Sequence, residues 1–188
     1  MGKTWIALFS QTGSEIANIS NELGRRPDLV ITNSRPEHLR VIDKRITSQD
    51  YILHETKNKP EEVNLDRIFE QYSKDTELII TLHGWLKIVP EDKCIKYDIY
   101  NGHPGIITEY PELKGKDPQQ RFFDEKYKYN YYGSVVHKVV PEVDSGEIVS
   151  ECRRFNTITS LDQAFDNLRS TSLTSWIDFL NTDTIITV

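Results

Sequence analysis

The first half of the chain alternates short apolar runs with segments of helical periodicity. The apolar runs, which have the length of buried strands, are TWIALFS (4–10), PDLVITN (27–33), ELIITLHG (77–84) and KYDIYNGHP (96–104). The segments with helical spacing are QTGSEIANISNELG (11–24) and EEVNLDRIFEQYSKD (61–75). Strands that alternate with helices are typical of a parallel sheet with helices on both faces. The pattern therefore predicts a single α/β domain over residues 1–188 with a mainly parallel twisted sheet, a Rossmann-like arrangement.

The second half of the chain predicts two more strands and a terminal helix. Residues 132–155 have the pattern of two strands joined by the turn PEVDSG. Residues 160–181 are amphipathic at helical spacing, with Ser160 in the position of an N-cap. The aromatic segment FFDEKYKYNYY (122–132) fits a flexible lid, an interface or a packed excursion, and the sequence leaves these three alternatives open.

The segment NGHP (101–104) is the first candidate for chemistry. Pro104 has no amide hydrogen and disfavours the helical region for His103, so the segment is predicted to end a strand and enter a loop. In parallel sheets, ligands bind beyond the carboxyl ends of the strands. The loops SQTGSE (10–15) and HGWLKIVP (83–90) also follow predicted strands. We expect these three loops to converge on one edge of the sheet.

Composition and charge exclude several classes of protein. Hydrophobic residues make up 37% and charged residues 28% of the chain, which is typical of a globular domain. The net charge of −6 gives no electrostatic footprint for a nucleic acid polymer or an anionic membrane. No apolar run is long enough to span a bilayer. Two cysteines, Cys94 and Cys152, imply no disulfide framework, so we expect a cytoplasmic protein; its oligomeric state is left open.

Two familiar kinds of site find weak support. The histidines lack the close spacing of a zinc site, so no metal centre is expected. His83 and His137 lie within apolar strands, where hydrogen-bonded core histidines are the simpler interpretation. No G-x-S-x-G elbow of a serine hydrolase is present. The SQTGSE loop has a single glycine, so it matches no nucleotide-binding fingerprint, and it fits either an ordinary helix cap or an anion site.

Three polar residue types in two predicted loops suit acyl transfer to an amine. The side-chain amide of Asn101 can donate to a developing oxyanion, and a charged His103 can donate to the same oxygen. Asp144 lies in a loop between Pro141 and Gly146. A carboxylate near His103 is expected to raise its pKa and to handle protons.

The segments that surround these residues resemble a known family. NGHP (101–104), YPELKG (110–115) and GSVVHKVVPEVDSGEIV (133–149) are similar to motifs of the folate-dependent formyltransferases, and the likeness covers nearly the whole chain. The resemblance implies a catalytic triad of Asn101, His103 and Asp144. It implies two pterin-binding loops that contain Leu86, Lys87, Ile88 and Val89, and Val140, Pro141, Glu142 and Asp144. It implies a loop for a substrate phosphate made of Gln11, Thr12, Gly13 and Ser14.

The implied function is transfer of a formyl group from 10-formyltetrahydrofolate to a primary amine. The part of the implied site that would bind the amine acceptor differs from that of the purine-synthesis members of the family. In this chain, Thr174 stands near the position where those members have a substrate-binding glutamate. A small phosphate-bearing acceptor, a nucleotide or an amino-sugar nucleotide, is therefore expected instead of glycinamide ribonucleotide. The alternatives are the purine-synthesis reaction itself, hydrolysis of formyltetrahydrofolate, and a folate-binding module without catalysis.

Overall fold

The computed structural model describes residues 3–34, 41–48, 51–55, 65–74 and 76–182. The elements are, in order, β1 (Thr4–Phe9), α1 (Ser14–Leu23), β2 (Leu29–Thr32), β3 (Leu53–Glu55), α2 (Leu65–Tyr72), β4 (Leu78–His83), α3 (Glu91–Lys96), β5 (Ile99–Pro104), α4 (Pro118–Asp124), β6 (Tyr131–Lys138), β7 (Ile148–Phe155) and α5 (Leu161–Thr182). The strands are hydrogen-bonded in the order β3-β2-β1-β4-β5-β6-β7. Among the described helices, none is long and apolar enough to cross a membrane.

The first of two compact units comprises Met1–Tyr100 and Leu180–Val188. Its strands are parallel, because β1 pairs with β2 and with β4, and β2 pairs with β3. Ile6 lies opposite Leu29 of β2 and Ile80 of β4, and all three side chains are buried. Burial of such aliphatic side chains is the main driving force for assembling these strands. Since β1 and β4 are parallel neighbours, the loops that follow them leave at the same edge.

The second unit comprises Asn101–Phe179. Its strands β6 and β7 form an antiparallel pair. Helix α5 is joined to β6 by buried hydroxyl groups. Ser134 donates to the carbonyl of Leu168 at 2.8 Å, and Ser175 donates to the carbonyl of Ser134 at 2.9 Å. These bonds satisfy polar atoms that would be costly to leave unpaired in the core, and they fix the helix against the strand.

The aromatic segment 122–132 is a packed excursion. Phe122 of α4 is buried and stacks on the buried ring of Tyr129, with ring centroids 4.9 Å apart. Both rings belong to an apolar cluster that also contains Val135 of β6. Tyr127 is the exception, since its side chain is 94% exposed. The segment is therefore part of the core of the second unit.

The predicted α/β class with a mainly parallel sheet is confirmed, as are the strands and the helices predicted over 11–24 and 160–181. The helix predicted over 61–75 is described as α2, and residues 61–64 and 75 lie outside the described residues. Strand β3 and helix α3 were not predicted. The assignment of residues 1–188 to one domain stays a prediction.

Candidate active site

Strand β5 carries two of the predicted catalytic residues near its carboxyl end. Asn101 and His103 are separated by one residue of extended chain, so their side chains leave the same face of the strand. Gly102 lies between them, and a Cβ atom there would lie 2.5 Å from Nε1 of Trp176. Because the buried indole of Trp176 occupies that space, the chain requires glycine between the two candidate catalytic residues.

The imidazole of His103 is buried, with 5% of the residue exposed. Its Nε2 lies 2.9 Å from the carbonyl oxygen of Leu113. A carbonyl can only accept, so Nε2 carries the hydrogen and Nδ1 faces Oδ2 of Asp144 at 3.4 Å. Burial lowers the pKa of His103 more than Asp144 and the Leu113 carbonyl raise it, so this pKa lies below its usual value of 6.5. Asp144 does raise the pKa of His103, as expected from the sequence, but desolvation outweighs the carboxylate and the net shift is downward.

Asp144 is held in a left-handed backbone conformation, with φ of 50°. Aspartate and asparagine tolerate this region better than other residues with side chains. The turn directs the carboxylate to three partners: the amide of Gly115 at 2.8 Å, Nε2 of His137 at 3.3 Å, and Nδ1 of His103. Burial raises the pKa of Asp144, but a hydrogen bond from the protonated ring of His137, the charge of the protonated ring of His103 and the Gly115 amide bring it down to about 2. Asp144 is therefore ionised at neutral pH.

His137 belongs to the same cluster, although the sequence pattern indicated only a core histidine. The residue is 2% exposed, and its Nδ1 lies 3.0 Å from the carbonyl of Lys138, so Nδ1 carries the hydrogen. Its Nε2 lies 3.4 Å from the amide nitrogen of Asn101, as well as near Asp144. The register of β6 against β7 shifts between Val136 and His137, and such a bulge turns a side chain away from the regular alternation. The sequence signal for this role was a polar residue at the end of an apolar strand that leads into the Asp144 loop.

The predicted second pterin loop lies between β6 and β7 in the same unit. Val140 is half-buried, whereas Pro141 and Glu142 are exposed. The loop is closed at its base, where the amide of Lys138 donates to the carbonyl of Glu147 at 2.8 Å. A Cβ atom at Gly146 would lie 1.8 Å from the carbonyl oxygen of Lys138, so only glycine permits this close return of the chain. The tight base positions the left-handed turn at Asp144.

In the first unit, the loops after β1 and β4 contact each other. The hydroxyl of Ser10 accepts a hydrogen bond from the amide of Leu86 at 2.9 Å. The side chain of Gln11 lies beside Gly84, where a Cβ atom would be 3.4 Å from Oε1 of Gln11. Gly13 has φ of 69° and is the residue before α1. The predicted phosphate loop and the predicted first pterin loop are thus neighbours.

The start of α1 already has internal hydrogen bonds. Thr12 Oγ1 accepts from the amide of Ser14 at 3.3 Å and is 2.9 Å from the hydroxyl of Ser14. Glu15, in the first turn of the helix, pairs with Nδ1 of His83 at 2.8 Å. His83 also lies 2.9 Å from the hydroxyl of Thr81, so it is the hydrogen-bonded core histidine that its strand pattern predicted. The phosphate-binding role of residues 11–14 stays a prediction.

The predicted first pterin loop presents apolar side chains on its surface. Leu86 is 67% and Ile88 is 82% exposed, Lys87 is exposed, and Val89 is half-buried. The next residue, Pro90, is the N-cap of α3, and its carbonyl accepts from the amide of Cys94 at 3.2 Å. The loop thus joins a buried strand to a short helix while two large aliphatic groups remain uncovered.

The structure brings Asn101, His103 and Asp144 together, with His137 as a fourth member. Among the described residues, no group of three histidine, cysteine, aspartate or glutamate side chains is placed to hold a metal ion. Thr174 of α5 is half-buried, and its hydroxyl donates to the carbonyl of Ser170 at 3.2 Å. It supplies no carboxylate to an acceptor.

The chain was compared with protein families, with individual proteins and with solved structures. No protein-family model matches the chain. The phosphoribosylglycinamide formyltransferase of Dictyostelium discoideum is 30% identical over an alignment of 133 positions, and the match covers 64% of this chain and 62% of that protein. The similar region therefore spans less than two-thirds of the relative's length.

Solved structures resemble the chain over almost its full length. The phosphoribosylglycinamide formyltransferase from Coxiella burnetii has a TM-score of 0.80 at 18% identity, covering 98% of this chain and 88% of that one. The enzyme of the same name from Streptococcus pneumoniae has a TM-score of 0.78 at 18% identity, and the match covers 97% of this chain and 98% of that one. A formyltetrahydrofolate deformylase from Pseudomonas syringae has a TM-score of 0.77 at 16% identity, and the match covers 96% of this chain and 60% of that one. The chain has the fold of these enzymes, and its resemblance to the folate-dependent formyltransferase family is confirmed.

Proposed function

We propose that the protein transfers a formyl group from 10-formyltetrahydrofolate to a primary amine. The observation that carries the proposal is the buried contact of Asp144 with both His103 and His137, beside the amide of Asn101. An amide donor, a neutral imidazole and a carboxylate are the groups that attack of an amine on a formyl carbon requires. The likeness to formyltransferases of the same fold supports this reaction.

Asn101 is proposed to stabilise the oxyanion. Its side-chain NH2 has two hydrogens, and one of them faces Nε2 of His137. The unprotonated Nε2 can only accept, so this contact orients the amide with its nitrogen toward His137. The second hydrogen is then free to donate to the oxygen that becomes negative when the amine attacks. Preorganised donors of this kind contribute about 100-fold or more to such reactions.

His103 is proposed to take the proton that the attacking amine loses. Its pKa below 6.5 keeps the ring neutral near pH 7, which leaves a lone pair on Nδ1. Proton transfer to Nδ1 makes an imidazolium, and the ionised Asp144 at 3.4 Å stabilises that charge. Asp144 therefore acts on the charged ring, whereas the resting ring is neutral. When the tetrahedral intermediate collapses, the bond between N10 of the folate and the formyl carbon breaks, and the imidazolium returns its proton to N10 of the departing tetrahydrofolate.

Each of the two predicted pterin loops, taken within its own unit, is proposed to contact the formyl donor. In the first unit, the exposed Leu86 and Ile88 offer an apolar surface, with Lys87 and Val89 beside them. In the second unit, Val140, Pro141 and Glu142 lead into Asp144. Apolar walls with a few polar groups suit a flat heteroaromatic ring.

The acceptor is proposed to be a small amine that carries phosphate, held through Gln11, Thr12, Gly13 and Ser14. The curated relative is a phosphoribosylglycinamide formyltransferase, so glycinamide ribonucleotide is the first acceptor to assay. Thr174 argues for a different amine, because its hydroxyl is engaged with Ser170 and offers no carboxylate. An amino-sugar nucleotide and a modified nucleotide with a free amine are the next candidates.

Hydrolysis of the donor is a second candidate reaction. The observation that favours it is the similarity of the fold to a formyltetrahydrofolate deformylase. The same neutral imidazole could accept a proton from water instead of an amine.

One assay separates these reactions. The purified chain is mixed with 10-formyltetrahydrofolate, with and without each amine, and both folate and formylated amine are measured. Amine-dependent consumption with equal formation of formylated product supports the transferase. Consumption without any amine identifies a hydrolase, and donor binding without turnover identifies a binding module. His103→Ala is the control for contaminating activity.

A further inference from the structure

The segment Pro111–Gly115 contacts two members of the catalytic cluster. The carbonyl of Leu113 accepts from Nε2 of His103 at 2.9 Å, and the amide of Gly115 donates to Oδ2 of Asp144 at 2.8 Å. One short segment thus fixes which ring nitrogen of His103 carries the hydrogen and where one oxygen of Asp144 lies. The geometry of this segment determines both.

Arg121 holds the segment through its carbonyl groups. Its guanidinium donates to Leu113 at 3.0 Å, to Lys114 at 2.7 Å, and also to Glu112. These are three consecutive carbonyls, and one of them is the acceptor of His103. A guanidinium is a rigid planar fork that is always charged, so it can fix several acceptors in one arrangement.

The position of Arg121 is itself well supported. It lies in α4, where its amide donates to the carbonyl of Asp117 at 3.2 Å, and the neighbouring Phe122 is anchored in the aromatic core. Within the described part of the chain, Arg121 forms no ion pair, and its buried Nε has no hydrogen-bond partner. Its charge is therefore directed at the three carbonyls and not at a carboxylate.

We propose that Arg121 is a positioning residue for the formyl-transfer site, acting on His103 and Asp144 through the Pro111–Gly115 segment. The proposal rests on the function proposed above. Without the guanidinium, the carbonyl of Leu113 loses its fixed direction, and His103 can exchange the hydrogen between its two nitrogens. The amide of Gly115 moves with the same segment, so Asp144 loses a partner at the same time.

The first test separates positioning from stability. Arg121→Met is expected to lower kcat at least about tenfold with KM changed less than about twofold, because small displacements of catalytic groups are costly to the chemical step. Arg121→Lys, which keeps the charge but loses the fork, is expected to be intermediate. Arg25→Met is the matched control, since Arg25 also donates to a backbone carbonyl, that of Lys3 at 3.1 Å, and it should leave kcat unchanged.

A double-mutant cycle tests the route of the effect. In the His103→Ala background, adding Arg121→Met should cause less than about a twofold further loss. A full additional tenfold loss there, or wild-type kcat in a folded Arg121→Met or Arg121→Lys protein, overturns the proposal.

A measurement without turnover keeps the proposal separate from the proposed reaction. In ¹⁵N spectra of the histidine rings, wild-type His103 should be the Nε2-protonated tautomer, and both Arg121 variants should give a mixture. If the wild-type protein formylates no amine but the tautomer changes, the positioning role stands and the proposed reaction fails. If the tautomer of His103 is the same in all three proteins, the positioning role is overturned whatever the activity.

Discussion

The candidate catalytic cluster of the second unit and the loops of the first unit are organised in opposite ways. His103 and His137 are almost completely buried, and each has one ring nitrogen fixed by a backbone carbonyl and the other directed at Asp144. Leu86 and Ile88 are large apolar side chains that stay mostly exposed. The chemical groups are thus preorganised by the protein, whereas the proposed donor-binding loop has apolar surface that only a ligand would cover.

The largest effect is expected from breaking the preorganised cluster. His103→Ala, Asn101→Ala and Asp144→Asn should each lower kcat by about 100-fold or more, because each removes an oxyanion donor, a proton acceptor or the charge that stabilises it. Asparagine suits the left-handed backbone at position 144, so this variant removes the charge and keeps the turn. Steady-state formyl transfer measures the effect, and thermal unfolding checks the fold. A folded variant with near-normal turnover would remove that residue from the mechanism.

A substitution in the exposed, predicted first pterin loop should weaken binding of the folate and leave the chemical step unchanged. Ile88→Asp places a charge where an apolar wall is proposed, so it should weaken binding of a 5-deazafolate by about 2 kcal/mol, roughly 30-fold in Kd. Ile95→Asp is the matched control, because Ile95 is similarly exposed on α3 but lies outside the predicted loop. Titration calorimetry measures both, with one folate expected per chain. Equal weakening in both variants, or no folate binding to the wild-type chain, would contradict the assignment of this loop.

An effect of intermediate size is expected when the residue at position 174 is changed and kcat/KM for one acceptor is measured. Wild-type protein is expected to use glycinamide ribonucleotide with kcat/KM below about 10⁴ M⁻¹s⁻¹, the low end of the ordinary enzyme range. Thr174→Glu should raise this value about tenfold, since it places a carboxylate at the position where the family resemblance predicts one. Thr174→Gln controls for size without charge. A wild-type value above that limit would identify glycinamide ribonucleotide as a natural acceptor.

The smallest effect is expected from pH, and it sharpens the assignment of charge within the cluster. Because the pKa of His103 lies below 6.5, the neutral ring remains the major form as pH falls from 7.5 to 6.5, and kcat should change less than about twofold. Further acidification through the pKa of His103 should lower kcat, since the protonated ring accepts no proton. A kcat that rises as pH falls would show that the charged ring is the active form.

The sequence predicted the long elements better than the short ones. Continuous apolar runs located β1 and β4, and helical spacing located α5, which is long enough to repeat its period several times. Strand β3 has only three residues, and α3 is the charged hexamer EDKCIK, so neither contains a recognisable pattern. The secondary structure of such short elements is determined by tertiary contacts instead.

The sequence predicted most residues of the candidate site but not the net pKa shift of His103. Asn101, His103 and Asp144 were found from their motifs, and they do meet in one cluster. His137 was missed because its role depends on a register shift in β6, which no spacing rule reveals. Asp144 raises the pKa of His103 as expected, but the larger opposite effect of burial was not predicted, because burial is a property of the folded chain.

The glycine that Trp176 requires at position 102 also has a chemical consequence for the life of the protein. An asparagine followed by glycine is prone to ring closure, since the unhindered amide nitrogen can attack the side-chain carbonyl and release ammonia. In Asn101 this loss would replace the amide with a carboxylate. The extended geometry of β5 holds the two groups apart, so the folded strand should age slowly and the unfolded chain quickly. Packing an indole against this strand has thus placed the candidate catalytic amide at the position where the chain is most susceptible to deamidation.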